Sequence, residues 1–322
     1  MLQTLPPVAE RYGRTQRREI AAAVAAVGRQ WRRVGDEFDA SYALIEHQLW
    51  AVMDTAQERI AAGALEYIPA VLRETGQERV DDPRYDISPR ALVGTAGDGL
   101  GTDTLAYGAV VHAKTAVLEG ASTREALAQG GRFLSVSVGT LLSDTGRTAE
   151  KLAAHARPVT GFVRMLEPPS CGRCIILAGK WSRRQEPFRR HPKCDCRNIP
   201  ASESLAGDLT VSPADYFDGL SDDDLARALG SKANAQAYRD GADPNQLINA
   251  YRREGSVREA QVYGRRVKYT TEGITRHGVA GRRLMGTRGR GRQPRLMPES
   301  IYKITNSKAE ADAMLRRYGW IL

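Results

Sequence analysis

No stretch of eighteen consecutive apolar residues occurs in this chain, so no helix is expected to span a membrane. The N-terminus, Met1-Leu-Gln-Thr-Leu-Pro-Pro7, lacks the basic and apolar regions of a secretory signal. The expectation is a soluble protein made in a reducing compartment. Catalytic signatures are missing as well. There is no Gly-x-Ser-x-Gly elbow, and no Ser, His and acid grouping follows from spacing. The glycine-rich run Gly94–Gly101 has no Walker lysine and no strand signal before it, so it reads as a turn or hinge. No His-x-Glu precedes a cysteine pair, which excludes a deaminase signature. His112 and His155 fall in helical stretches and read as core or surface residues rather than bases. No enzymatic activity is expected.

Cysteine is scarce but clustered. All four lie in Cys171-Gly-Arg-Cys174 and His191-Pro-Lys-Cys194-Asp-Cys196. A C-x2-C turn offers two thiolates to one ion, and H-x2-C-x-C supplies the other half of a tetrahedral zinc site. Two disulfides are the alternative, and the absence of secretory features argues against them. Five candidates compete for four places: Cys171, Cys174, His191 and one of Cys194 and Cys196. Cys196 is favoured, because ligation by both members of the C-x-C closes a tight ring. Four protein ligands leave no open position, so the predicted zinc is structural, at a single site. A zinc-bearing nuclease of the H-N-H type would need a second histidine or an Asp-His dyad, and His191 stands alone in the module.

The formal net charge of +9 is unevenly spread. Residues 251–295 hold thirteen basic against three acidic residues, and residues 171–200 hold eight against two. Concentrated positive charge is the footprint of a polyanion partner, most often nucleic acid. The candidate phosphate-binding residues are Arg282, Arg283, Arg288, Arg290, Arg292 and Arg295, in a run too rich in Gly and Arg to build a core. This run is expected to be a flexible arm.

The predicted fold is mainly α, in three parts. Residues 1–158 form a long-helix half suited to docking. Ile20, Val24, Val27, Trp31 and Val34 make an apolar seam at helical spacing. A second helix is predicted over Asp39–Glu74, with Leu44, Leu49, Val52, Ile60 and Ile68 inside. Further helices are predicted over Thr102–Leu118, from the capping box Ser122-Thr-Arg-Glu125, and over Thr148–His155. Residues 159–205 form a small α+β zinc module, with a strand at Gly161–Leu166. Its own core of Ile175, Ile176, Leu177 and Trp181 is too small to stand without metal. Residues 206–322 hold short helices opening at Ser212, Ser221, Asp243, Pro298 and Ser307, a short strand at Arg265–Thr271, and the basic arm.

The segment Arg164-Met-Leu-Glu-Pro-Pro-Ser-Cys171-Gly-Arg-Cys174-Ile-Ile-Leu-Ala-Gly179, followed by Arg190-His-Pro-Lys-Cys194-Asp-Cys196, resembles the head-morphogenesis domain of MuF-like minor capsid proteins of tailed phages. Lys268–Arg276, Gly278–Leu284, Arg295–Tyr302 and Asp240–Asn249 look like the subgroup from phages of actinobacteria. The resemblance covers about a third of the chain, nearly all after residue 160. It implies a low-copy virion component made in the host cytoplasm and lodged inside the head near the portal. The implied partners are the portal protein, the major capsid or scaffold protein, and packaged DNA met through the basic arm; no membrane is implied. The family's Cys and His positions carry over onto Cys171, Cys174, His191, Cys194 and Cys196.

Overall fold

The computed structural model describes residues 5–77, 82–157, 161–166, 170–179, 181–183, 197–201, 212–253, 255–262, 264–272 and 294–321. The fold is mainly helical, and the described residues group into two compact units. The first contains the chain up to Met165, with residues 181–183 and 197–201; the second contains the described residues from 166 to 179 and from 212 onward. The expected three-part division therefore does not recur. The described part of residues 159–205 is shared between the two units instead of forming one of its own.

In the first unit, α1 (Pro7–Trp31), α2 (Phe38–Ala43), α3 (Glu46–Glu74), α4 (Thr102–Leu118) and α5 (Thr123–His155) pack around Val27, Ile45, Leu49, Met53, Leu134, Val138 and Leu142. The helix predicted over Asp39–Glu74 is interrupted at Leu44-Ile45. Leu44, expected inside, caps α2 and is 72% exposed, whereas Ile45 is fully buried. The seam of α1 is narrower than predicted: Val27 and Trp31 are buried, while Ile20 and Val24 are only partly so.

Helix α5 corrects a second expectation. It runs unbroken for 33 residues, and the capping box at its start is formed in both directions. Three of its four internal glycines, Gly130, Gly131 and Gly146, look like breaks in the sequence but act as sites of close approach. A Cβ on Gly130 would lie 2.6 Å from the Ala109 carbonyl oxygen and from Cζ2 of Trp31, and one on Gly131 2.9 Å from Cδ1 of Trp31. The indole of Trp31 lies against this bare stretch of backbone and donates from Nε1 to the Leu127 carbonyl at 2.9 Å. Helix α4 meets α5 through buried Ala106, Ala109, Ala113 and Ala116.

The glycine-rich run is a turn, as expected, and four of its amides are already engaged. Buried Gln57 accepts from Gly94 N at 3.0 Å and donates to Thr95 O (3.0 Å) and Thr145 Oγ1 (3.1 Å). Ala96 N, Gly99 N and Leu100 N bond within the run. A three-stranded antiparallel sheet completes the unit, ordered β2-β1-β3, with β1 at Gly161–Met165, β2 at Trp181–Arg183 and β3 at Arg197–Ala201. It packs with Ala9, Tyr67, Ile68, Val71 and Leu72.

The second unit contains α6 (Gly172–Ile176), α7 (Pro213–Asp218), α8 (Asp222–Leu229), α9 (Lys232–Arg239), α10 (Pro244–Asn249), the strands β4 (Val257–Val262), β5 (Arg265–Thr270) and β6 (Arg295–Leu296), then α11 (Pro298–Ile304) and α12 (Lys308–Arg317). The predicted caps are in place. Ser212, Ser221 and Ser307 accept from the amide three residues on, and Asp243 accepts from Asn245 N at 2.9 Å. Gly230 ends α8 at φ +89°, where a side chain would be strained. Phe217, Leu225, Leu247, Ile301, Leu315 and Trp320 form the core.

Candidate metal centre and polyanion-binding residues

Cys171 is the N-cap of α6, with extended φ and ψ, and its carbonyl accepts from Cys174 N (2.9 Å) and Ile175 N (3.1 Å). Residues three apart on one helical turn share a face, so the C-x2-C spacing places both thiols on one side. Cys174 is buried and Cys171 half-buried. The intervening residues fix the turn. A Cβ on Gly172 would lie 2.9 Å from Cδ1 of Ile248 and closer still to the Ala228 carbonyl oxygen, so only glycine fits. Arg173 donates from Nη2 to the Tyr251 carbonyl at 2.8 Å. Half of the predicted ligand set is thus held rigidly. His191, Cys194 and Cys196 lie outside the described residues, and no group of three metal-ligating side chains forms among the described ones.

The module's small core is not formed as predicted. Cys174 and Ile175, with Ile176 beside them, belong to the large core of the second unit. Trp181 instead packs with the first unit's sheet and donates from Nε1 to Ala201 O at 3.2 Å. The Cys171–Cys174 turn therefore belongs to the larger core of the second unit.

Of the predicted phosphate-binding arginines, Arg282, Arg283, Arg288, Arg290 and Arg292 lie outside the described residues. Arg295 is described and overturns its assignment, because it is fully buried. Its Nε donates to Tyr318 O (2.7 Å), Nη2 to Gly319 O (3.0 Å), and Nη1 to Gln246 Oε1 (3.1 Å) and Glu272 O (3.3 Å). Its Cζ lies 3.8 Å from the centre of a Trp320 ring. Burial pulls its pKa down to about 10, against the opposing effect of Asp243. No carboxylate among the described residues pairs with it; the charge is held by carbonyls, two of them just past the C-terminus of α12, where the helix dipole favours a cation. Such a guanidinium has no reach to a phosphate.

The other sequence candidates behave as structural residues. His112 stacks on Phe133 with ring centres 4.1 Å apart. A cleft of about 270 Å³ in the first unit is lined by Gly97, Asp144, Arg147, Thr148, Lys151 and Asn198, among others, with no His or Cys. Asp144 and Arg147 in it pair at 2.8 Å. The strand expected at Arg265–Thr271 is β5, but sequence reasoning missed β4 and so the antiparallel β4–β5 hairpin, whose exposed side chains include Arg258, Arg265 and Arg266. The signal was present in the charge of residues 251–270, but β4, Val-Arg-Glu-Ala-Gln-Val, carries too little apolar alternation to read as a strand by itself.

No protein-family model matches this chain, and neither the curated proteins nor the solved structures hold a match to it.

Proposed function

We propose that this chain is a structural minor component of a tailed-phage head, held near the portal and acting in head assembly and in DNA packaging or ejection. The seating of the Cys171–Cys174 turn carries the reading. Gly172 against Ala228 and Ile248, and Arg173 on Tyr251, give the two thiols fixed positions on a packed core. That arrangement suits a zinc that holds shape rather than one that turns over substrate. Cys171 and Cys174 would be completed by His191 and by Cys194 or Cys196. The residues around this turn are also those that resemble the MuF-like family.

Helix α4 supports a docking role for the first unit. Beneath it are buried alanines, while on its outer face Tyr107, Val111 and Leu118 are 41%, 48% and 89% exposed, with Lys114 between them paired to Asp39. Large apolar side chains exposed together on one helix face are the mark of an interaction surface. A groove on a ring-shaped portal is the cover this reading assigns. No helix among the described residues is long and apolar enough to cross a membrane.

A zinc-dependent nucleic-acid-binding protein acting outside any particle is the second reading, favoured by the exposed arginines of the β4–β5 hairpin. Mass spectrometry of purified particles from the source phage separates the two. Finding this polypeptide in mature heads at low copy supports the first; its absence from them overturns it.

A further inference from the structure

Helix α1 has its apolar contacts on one face and its charge on the other. Ala9, Gly13, Gln16, Ala23, Val27 and Trp31 are buried. On the opposite side Arg11, Arg14, Arg18, Ala22, Ala25 and Arg29, with Arg32 as the C-cap, recur three or four residues apart and are all exposed. Residues at that spacing line one face of a helix, so five guanidiniums share a single stripe with alanines at its centre. No acid falls within it. The two acidic residues of α1 are both engaged: Glu10 pairs with Arg14, and Glu19 Oε2 lies 3.7 Å from Nη1 of Arg59 on α3. Arg11, Arg18, Arg29 and Arg32 pair with no carboxylate among the described residues.

Like charges three and four residues apart on a helix repel, so the stripe opposes the free helix and favours a bound polyanion. Its chemistry selects phosphate. The cations of α1 are all arginine, with no lysine, and the planar guanidinium meets a phosphate through two parallel hydrogen bonds. An acidic protein partner would need apolar anchors at the centre of the contact, and α1 has no exposed large apolar side chain. A lipid surface would need an apolar face to sink into it, and that face of α1 is already core. From Arg11 to Arg32 the stripe runs about 30 Å at ~1.5 Å per residue. A duplex presents one phosphate charge per ~1.7 Å of its axis, so a stripe of that length meets phosphates whatever the base sequence. We infer that the outer face of α1 is a sequence-independent contact for the phosphate backbone of duplex DNA. The inference rests on the reading above that DNA is a partner. It assigns a contact to the first unit, separate in sequence from the Gly- and Arg-rich run that suggested such a partner.

The test is binding of the full-length chain to a mixed-sequence DNA duplex across a salt series. Each phosphate contact contributes about 0.9 to the slope of log affinity against log salt. Arg11→Ala, Arg18→Ala and Arg29→Ala together should lower that slope by roughly 3. Alanine is the best helix former, so these exposed changes keep α1 intact. Arg90→Ala, Arg124→Ala and Lys151→Ala remove the same charge from other parts of the first unit and should leave the slope nearly unchanged. Lysine at positions 11, 18 and 29 should retain it, which separates lost contacts from lost folding. Equal slopes for the two alanine triples, or an unchanged slope in the first, overturn the inference. So does failure of the wild-type chain to bind the duplex. Tighter binding to polyglutamate or to phosphatidylserine vesicles than to the duplex also overturns it, by making the partner an acidic protein or a lipid surface. Particle composition is measured separately. A reduced slope in a protein missing from phage heads leaves this inference standing and removes only the head assignment.

Discussion

The guanidinium carbon of Arg295 lies over the indole of Trp320, 3.8 Å from the centre of a ring, while the indole Nε1 donates to the carbonyl of the neighbouring Leu296 at 2.8 Å. The two residues are locked reciprocally. The arginine is held by carbonyls at the end of α12, and the tryptophan by the strand that carries the arginine.

Arg295→Ala should therefore act on stability. It leaves Tyr318 O, Gly319 O and Glu272 O without their donor, and buried unsatisfied groups cost about 1–3 kcal/mol each. A loss of about 3 kcal/mol or more is expected in urea unfolding of the second unit. Arg295→Lys keeps the charge but not the planar fork and should recover only part of this. A change within ~0.5 kcal/mol of wild type, the usual range for a surface substitution, would contradict the buried role.

Glycine-to-alanine changes in α5 should have opposite signs at two positions. Gly139→Ala meets only Cγ2 of Val24 at 4.0 Å and should stabilise by about 0.5–1 kcal/mol through helix propensity. At Gly130 the same change drives a methyl group into the Ala109 carbonyl and the Trp31 ring. It should destabilise by about 1–3 kcal/mol despite the propensity gain. Thermal melts of the two variants decide it, and a shift in the same direction for both would refute the packing argument.

Asp240 should make the second unit acid-sensitive. Burial alone would raise its pKa, but donors from Tyr302 (2.6 Å) and Gln236 (3.1 Å), with Lys308 at 3.4 Å, outweigh that and leave it below 3.8. A carboxylate whose pKa is depressed on folding stabilises above its unfolded value, near 3.9, and loses that contribution as pH falls through the folded value. Urea midpoints should drop below about pH 4, and Asp240→Asn should be less stable at neutral pH with a flatter acid limb. An acid limb identical in wild type and variant would exclude Asp240 as its source.

Metal content provides a further check. Elemental analysis should give about one zinc per chain, lost on replacing Cys171 and Cys174 together by serine. Chelation should leave most of the helical circular dichroism intact, because Ile175 and its neighbours belong to the larger core. Collapse of the helical signal on chelation would restore the sequence-based expectation of a core that exists only with metal.

Much of the helical layout was legible because its punctuation is local. Ser122, Ser221 and Ser307 cap helices through their own side chains, and Gly120 and Gly230 end helices at positive φ. What was not legible depends on distant partners. Gly130 resembles a break until Trp31, 99 residues earlier, is seen against it. Leu44 and Ile45 are adjacent and equally apolar, and only the core of the first unit, which takes in Ile45, decides which one is buried. Strand β4 exists because β5 pairs with it along six residues. The pairing of Cys171 and Cys174 on one turn was readable, but the turn's support from Ala228, Ile248 and Tyr251 was not. Nothing near Arg295 in the sequence distinguishes it from the arginines before it; its partners are Gln246, Glu272 and Tyr318–Trp320.

Arg295 also joins the two ends of a long stretch of chain. It pairs with Thr270 across the sheet and bonds Glu272 O, while its other contacts reach the residues that follow α12. Residues 272 and 295 are thereby fastened to each other as well as through the chain between them. A cut anywhere in that interval would change the number of polypeptide pieces without parting the unit.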